Sequence, residues 1–469
     1  MEARSLQWIA EACGGERRAG APVLQVVRVT TDSRRVQPGD LFIPLAGERF
    51  DGHDFLPQVA AQGAVAALVS RAWWGRAGQV GLPGLGLVTV EDTRRALGQL
   101  AARYRADFDL PVVAVGGSNG KTTTKELLAS VLREAGQPLW SEASFNNDIG
   151  VPLTLLNLER RHTAAVLEAG TNHPGELAPL LRLIQPRHGV LTSIGREHLE
   201  FFGDLDGVAR EEGALAEALG ADGMLFINGD MESAPGIVRR TRARAVQVGL
   251  GAHNEWRAGR VEVAADGVQF EVSAPQAAYA GSYSVRLLGR HQVTNALLAL
   301  AAGAALGVGP EQARRGLAAC APPKMRLQVW EARGVRVLDD AYNANADSML
   351  AALEVLREYP CRGRRVAVLG DMAELGGQTE AAHREVGRRC GTAGVDRLVA
   401  VGRWAGETAR AARDAGVREV LEFDGVIAAA AGADRIAEPG DVVLLKASRA
   451  VGLERLGAAL RGGEGVRAE

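Results

Sequence analysis

The chain has 469 residues, 47% of them hydrophobic, which is enough for about three domains, each with its own buried core. Its 54 lysines and arginines nearly balance 56 aspartates and glutamates, so no global field argues for a nucleic-acid partner or an anionic membrane surface. The first residues lack a basic segment followed by an apolar one, and the longest apolar stretch, Ala296 to Val308, is shorter than the roughly 20 residues a membrane span needs, so a cytoplasmic protein without membrane insertion is expected.

Three blocks follow in chain order: residues 1–108, 109–322 and 323–469. The first mixes short β-rich runs (Val26 to Thr30, Leu41 to Leu45, Ala66 to Val69, Leu85 to Val90) with alanine-rich helical stretches and reads as a small α/β domain. The second opens with an apolar strand, Pro111 to Val115, running into a glycine loop. Helical patterns then alternate with strands at Ala164 to Leu167, Val190 to Ile194 and Leu225 to Asn228, which predicts a mostly parallel sheet covered on both faces. The third follows Ala321-Pro-Pro-Lys and carries apolar strands at Val335 to Leu338, Val366 to Leu369, Leu398 to Val401 and Val442 to Leu445, a second doubly wound unit. Ala296 to Val308 reads as a buried helix, and the tail from Gly462 as frayed.

Polar motifs fall repeatedly at strand ends, where open α/β sheets collect their ligands. Gly116-Gly117-Ser118-Asn119-Gly120-Lys121-Thr122, with Thr123 behind it, joins a strand to a helix. Backbone N–H groups and a helix N-terminus can thus face a phosphate, Lys121 can reach the β/γ oxygens and Thr122 can ligate Mg²⁺. Val115 stands where the strict P-loop pattern has glycine, which makes this a variant loop. Glu168, at the end of Ala164-Ala-Val-Leu, is placed for the same ion. His198 lies just past another strand with Glu211 and Glu212 on the helix that follows, and an imidazole plus a carboxylate can hold a second Mg²⁺. Asp340, in Asp339-Asp-Ala-Tyr342-Asn-Ala-Asn345, suits ribose hydroxyls; Asn295 and Arg326 flank the second joint, where a closing domain brings them onto nucleotide. Gly370 to Gly376 and Lys446-Ala-Ser448-Arg449 suit an anionic acceptor.

Cys13, Cys320, Cys361 and Cys390 lie far apart in no metal-ligand spacing, which reads as reduced thiols without zinc or disulfides. Only Lys121, Lys125, Lys324 and Lys446 among the 54 basic residues are lysine, so lysine stands where a compact ammonium is needed and arginine's planar fork does not substitute. Lys125 and Lys324 carry no evident role by sequence.

Taken together, the glycine loop, Glu168-Ala-Gly, the His198 segment, Gly289-Arg-His-Gln-Val-Thr-Asn295, Met325-Arg326 and Asp340 resemble the Mur ligase family in order and over essentially the whole chain. Thr30 to Arg34, Gly47 to His53, Asn146 to Thr154, Asp339 to Asn345 and Gly370 to Gly376 are similar to the branch that adds D-alanyl-D-alanine. The resemblance implies three domains: one for a UDP-sugar peptide, a central P-loop ATPase and a C-terminal Rossmann-like domain. It implies a monomer that uses ATP and Mg²⁺ to join D-alanyl-D-alanine to a UDP-N-acetylmuramoyl-tripeptide through an acyl phosphate. Sister ligases adding a single amino acid share these parts, and a P-loop small-molecule kinase shares the glycine loop alone.

By the same resemblance Gly117 to Thr123, Asn295, Arg326 and Asp340 bind nucleotide, and Ser33, Arg34 and Gly47 the uridine diphosphate. Asn146 and Asn147 take the muramoyl end, and Tyr342, Asn345, Lys446 and Ser448 contact substrate. Lys121 and His198 are catalytic. Where the family resembles a carbamylated-lysine enzyme this chain has Glu212, expected to supply the carboxylate for the second Mg²⁺, with Glu211 the alternative one residue away.

Overall fold

The computed structural model describes residues 1–47, 50–77 and 82–462. Its architecture follows from strands that are apolar along their whole length. Val112–Gly116 and Ala164–Glu168 are buried at every position, which only a parallel sheet covered on both faces permits. Nine strands form the central sheet in the order 281–285, 267–273, 256–264, 244–249, 224–228, 188–191, 112–116, 164–168, 138–140. Pairing is parallel from Pro138–Trp140 to Trp256–Ala264, and the last two strands add an antiparallel edge.

A six-stranded sheet lies C-terminal to it in the order 328–332, 335–339, 442–446, 365–370, 397–401, 419–423, parallel except for the first pair. N-terminal to it, a five-stranded sheet (16–19, 86–90, 66–70, 40–42, 28–30) accompanies the two-stranded pair Arg4–Ser5 and Gln25–Val26. The α/β character with mostly parallel sheets expected from sequence is present.

Element boundaries differ in places. The run Val26 to Thr30 divides into Gln25–Val26 and Arg28–Thr30, which pair with different partners. The antiparallel hairpins Trp256–Ala264, Gly267–Ser273 and Gly281–Val285 were not expected, because their alternating, half-exposed residues carry no continuous apolar signal. Gly47 is described, whereas Glu48 and Arg49 of the same motif, and the tail beyond Gly462, lie outside the described residues.

The apolar stretch near 300 is the helix Gln292–Ala305, buried as expected. It packs on the helix Lys121–Arg133, where a Cβ on Gly303 would meet Val131 Cγ1 at 2.6 Å, so the absence of a side chain sets the spacing. The opposite face of the central sheet shares one core with the first block: Leu6, Ile9, Leu41 and Tyr104 pack in the same cluster as Val112, Leu155 and Leu177. Tyr104 fastens this seam, its hydroxyl donating to Leu158 O at 2.6 Å and accepting from Glu2 N at 2.7 Å.

Leu297 is fully buried between the sheet and the helix that opens at Lys121. Leu297→Ala is expected to destabilise the protein by about 3 kcal/mol through lost transfer energy and an unfilled cavity, measured as a lower urea midpoint of unfolding.

Candidate active site

The glycine loop is shaped by what packs against it. Gly117 (φ +112) could carry no side chain, since a Cβ would lie 2.4 Å from Thr192 Oγ1, and at Gly120 (φ +88) a Cβ would lie 2.6 Å from Asn295 Oδ1. The loop is then fixed from below. Ser118 N donates to Ser193 O at 2.8 Å, Asn119 N to Ser193 Oγ at 2.8 Å, and Gly117 N to Glu212 Oε2 at 2.7 Å.

Lys121 begins the helix with its side chain curled onto the loop, donating to Gly117 O and, at 3.1 Å, to Ser118 O, with Glu197 at 3.8 Å. Burial works against its ammonium, but Glu197, Glu212 and Glu168 outweigh burial and hold its pKa above the ordinary lysine value. One helical position on, Thr122 Oγ1 donates to Glu168 Oε2 at 2.8 Å and lies 3.4 Å from Ser144 Oγ. Asn146 Nδ2 donates to the other oxygen of Glu168 at 2.9 Å.

These groups open into a cavity of about 440 Å³ between the central and C-terminal sheets. Lys121, Thr122, Asn146, Asn147, Glu168 and His198 line one wall, and Tyr342, Asn345, Ser448 and Arg449 the other. A neighbouring cavity of about 320 Å³ is walled by Gly120, Thr123, Asn295, Arg326, Asp340 and Lys446. The sheets are tied across the cleft by paired amides, Asn345 Nδ2 donating to Asn119 Oδ1 at 3.0 Å. Arg196 adds ion pairs to Asp347 at 2.7 Å and Glu385 at 2.6 Å.

Two expected groupings come out differently. His198 sits on the cavity wall, held in a left-handed conformation (φ +49) with its ring on Glu374. Glu212 is buried behind the glycine loop and does not line the cavity, because its shorter chain ends on the Gly117 N–H; the two residues share no hydrogen bond or ion pair. Glu211 instead accepts from Gly175 N and Leu177 N, both at 2.8 Å.

Lys446 points inward. Its buried ammonium bonds Asp340 Oδ2 at 2.5 Å and Asn343 O at 3.0 Å, so it faces the second cavity and supports Asp340, leaving Ser448 and Arg449 on the acceptor side. Arg326 stacks its guanidinium on Tyr342, 4.2 Å from the ring centre. Ser33, Arg34 and Gly47 line neither cavity; Arg34 is exposed and pairs with Asp32 at 2.9 Å. Sequence reasoning left Ser144 and Glu197 unassigned: Ser144 precedes the Asn146 motif, and Glu197 stands beside His198 in its segment without a role of its own.

Burial pushes the Glu212 carboxyl up to about 7, with Glu197 adding and Lys121 and the Gly117 N–H pulling the other way. Between its ordinary value of 4.5 and about 7 the folded chain keeps a proton on Glu212 that the unfolded chain has released, so stability falls as pH rises through that window. In Glu212→Gln this contribution disappears. Urea unfolding in magnesium-free buffer across the same window is expected to show a less negative slope of stability against pH than the wild type.

Three family models match in succession: the Mur ligase family catalytic domain over residues 25–105, the Mur ligase middle domain over 115–303 and the Mur ligase glutamate ligase domain over 325–449. The chain is 40% identical over 384 residues to the UDP-N-acetylmuramoyl-tripeptide–D-alanyl-D-alanine ligase of Escherichia coli (strain K12), covering 80% of this chain and 81% of the relative. MurF from Acinetobacter baumannii superposes with a TM-score of 0.87 at 33% identity, covering 98% of this chain and 99% of that one. The MurF ligase from Thermotoga maritima, solved in complex with ADP, gives 0.77 at 27% identity, covering 93% and 97%. With a glycine loop, an acid at the next strand end and a cleft closed by a second parallel sheet, the chain belongs to the Mur ligase family.

Proposed function

We propose that this protein is the ATP-dependent ligase that joins D-alanyl-D-alanine to a UDP-N-acetylmuramoyl-tripeptide in peptidoglycan precursor synthesis. The observation that carries this reading is that Lys121, Thr122 and Glu168 share one cavity with Asn146 and Asn147 on their own side and with Tyr342, Asn345, Ser448 and Arg449 on the other. A phosphate-binding loop and two further polar surfaces meeting in one cleft suit a reaction that assembles three substrates. The domains behind it are residues 1–108 for the UDP-sugar peptide, 109–322 for ATP and 323–469 closing over them. The protein acts as a cytoplasmic monomer; no helix among the described residues is long and apolar enough to cross a membrane.

In this reading Gly117 to Thr123 cradle the phosphates, and Asn295, Arg326 and Asp340 surround the nucleoside, with Lys446 fixing Asp340. Ser33, Arg34 and Gly47 stay with the uridine diphosphate. The tripeptide carboxylate attacks the γ-phosphorus, ADP leaves, and the resulting acyl phosphate meets the free amine of D-alanyl-D-alanine. The tetrahedral intermediate then loses phosphate to give the amide. A carboxylate approaching a triphosphate brings like charges together, which Lys121 offsets while the loop holds the reacting atoms in line.

Mg²⁺ fits the first site. Thr122, Glu168 and Ser144 present an all-oxygen set that suits a hard cation completed by phosphate and water, which needs no larger acidic cage; among the described residues none of three or more His, Cys, Asp or Glu exists. The ion supplies neutralisation of charge on the transferring phosphoryl group. For the second ion, one Glu212 oxygen is taken by Gly117 N–H behind the loop while the other, Oε1, is buried without a hydrogen-bond partner and stays available, and no hydrogen bond or ion pair joins Glu212 to His198; the carboxyl also adds to the negative field on Lys121. His198 stays on the wall with the reacting groups, fixed by Glu374.

The test is phosphate release from ATP with a UDP-muramoyl tripeptide, with and without D-alanyl-D-alanine, following the product by mass. Dipeptide-dependent release with the matching mass gain is expected. Release driven by a single amino acid moves the protein to a sister ligase, and a stable phosphorylated product to a kinase. Lys121→Ala is expected to lower kcat on the order of 100-fold or more.

A further inference from the structure

We propose that Lys125, a residue outside the cavity, is a positioning residue that holds the loop Ser141 to Asn147 in its tripeptide-binding shape. The inference rests on the assignment of Asn146 and Asn147 to the tripeptide. Lys125 lies one turn beyond Lys121 on the same helix and is fully buried. Its Nζ donates to Ser141 O at 2.6 Å and Ala143 O at 2.7 Å and pairs with Glu126 Oε1 at 2.7 Å. Three oxygens thus converge on one ammonium, which matches its three donors and excludes arginine's planar fork.

What the ammonium grips is the start of the loop. Ser141 joins the sheet through its own N–H to Val166 O at 3.1 Å, and its hydroxyl accepts from Glu168 N at 3.1 Å. Two residues on, Ala143 takes a left-handed conformation (φ +46), which a side-chain-bearing residue adopts at a cost, and its carbonyl is the second bonded to Lys125. Beyond this bend Ser144 reaches Thr122, Asn146 reaches Glu168, and Asn147 Oδ1 accepts from Gly150 N at 2.8 Å to start the helix Gly150–Leu155. The bend aims the asparagines, and Lys125 holds the bend.

The glycine loop is fastened separately, to Ser193 and Glu212. Loss of the Lys125 ammonium therefore releases the tripeptide side of the cleft, Ser144 included, and leaves the glycine loop that cradles the nucleotide phosphates in place. A residue that merely stabilised the fold would weaken both.

The experiment compares Lys125→Met with wild type in three readouts: KM for the UDP-muramoyl tripeptide, kcat, and ADP affinity by calorimetry in magnesium-free buffer. A rise in tripeptide KM of about tenfold or more is expected, the size of a lost charged hydrogen bond, while ADP affinity stays within about threefold. An unchanged tripeptide KM overturns the proposal, as does an ADP affinity that falls in step with it. If Lys125→Met does not fold, Lys125→Arg takes its place. Its longer fork displaces the two carbonyls, and the same split supports the proposal while its absence overturns it. Wild-type enzyme with no dipeptide-dependent turnover would count against the ligase reading itself, a result separate from either variant's.

Discussion

The cleft is built around one largely enclosed ammonium, Lys121, set among carboxylates. Lys121 faces Glu197, Glu212 and Glu168, and these acids keep it charged in spite of its burial. Such a cluster is anionic before any polyphosphate arrives, so phosphate binding requires additional cation, and the oxygen-only grouping of Thr122, Ser144 and Glu168 is where a hard one suits. Glu212 relieves part of the excess by its raised pKa, a consequence of burial behind the loop.

Around that cluster both neighbouring blocks are packed onto the central one through buried apolar side chains. The first block shares a continuous apolar core with the central sheet, sealed by Tyr104. The third block meets the central one through a second apolar cluster, in which Leu199, Val208 and Leu288 pack with Leu338, Met349 and Leu375. Amides and charges are added at the glycine loop, Asn119 with Asn345 and Arg196 with Asp347 and Glu385.

Much of this was legible in the sequence where physics leaves one reading. Fully buried parallel strands are continuous apolar runs, and a glycine loop between strand and helix has few other uses. What stayed hidden was direction. Lys446 ends a strand beside Ser448 and Arg449, but whether its side chain turns into the sheet or out to the acceptor depends on its bond to Asp340, more than a hundred residues earlier in the chain. Glu212 could be aligned with a metal ligand, yet only the fold shows that one of its oxygens is taken by Gly117 N–H behind the loop while the other is buried without a partner. Lys125 did leave a trace: a lysine one turn after Lys121, in a chain that otherwise writes arginine.

The same scarcity of lysine governs how the protein meets amine-directed chemistry. Lys125 and Lys446 are sealed, and Lys121 is folded into its loop, whereas Lys324 is exposed between Pro323 and Met325, at the joint leading into the C-terminal sheet. Surface attachment through side-chain amines would therefore grip the molecule at one defined place, the joint leading into the C-terminal sheet. A sensor or column made that way would hold every copy in the same orientation.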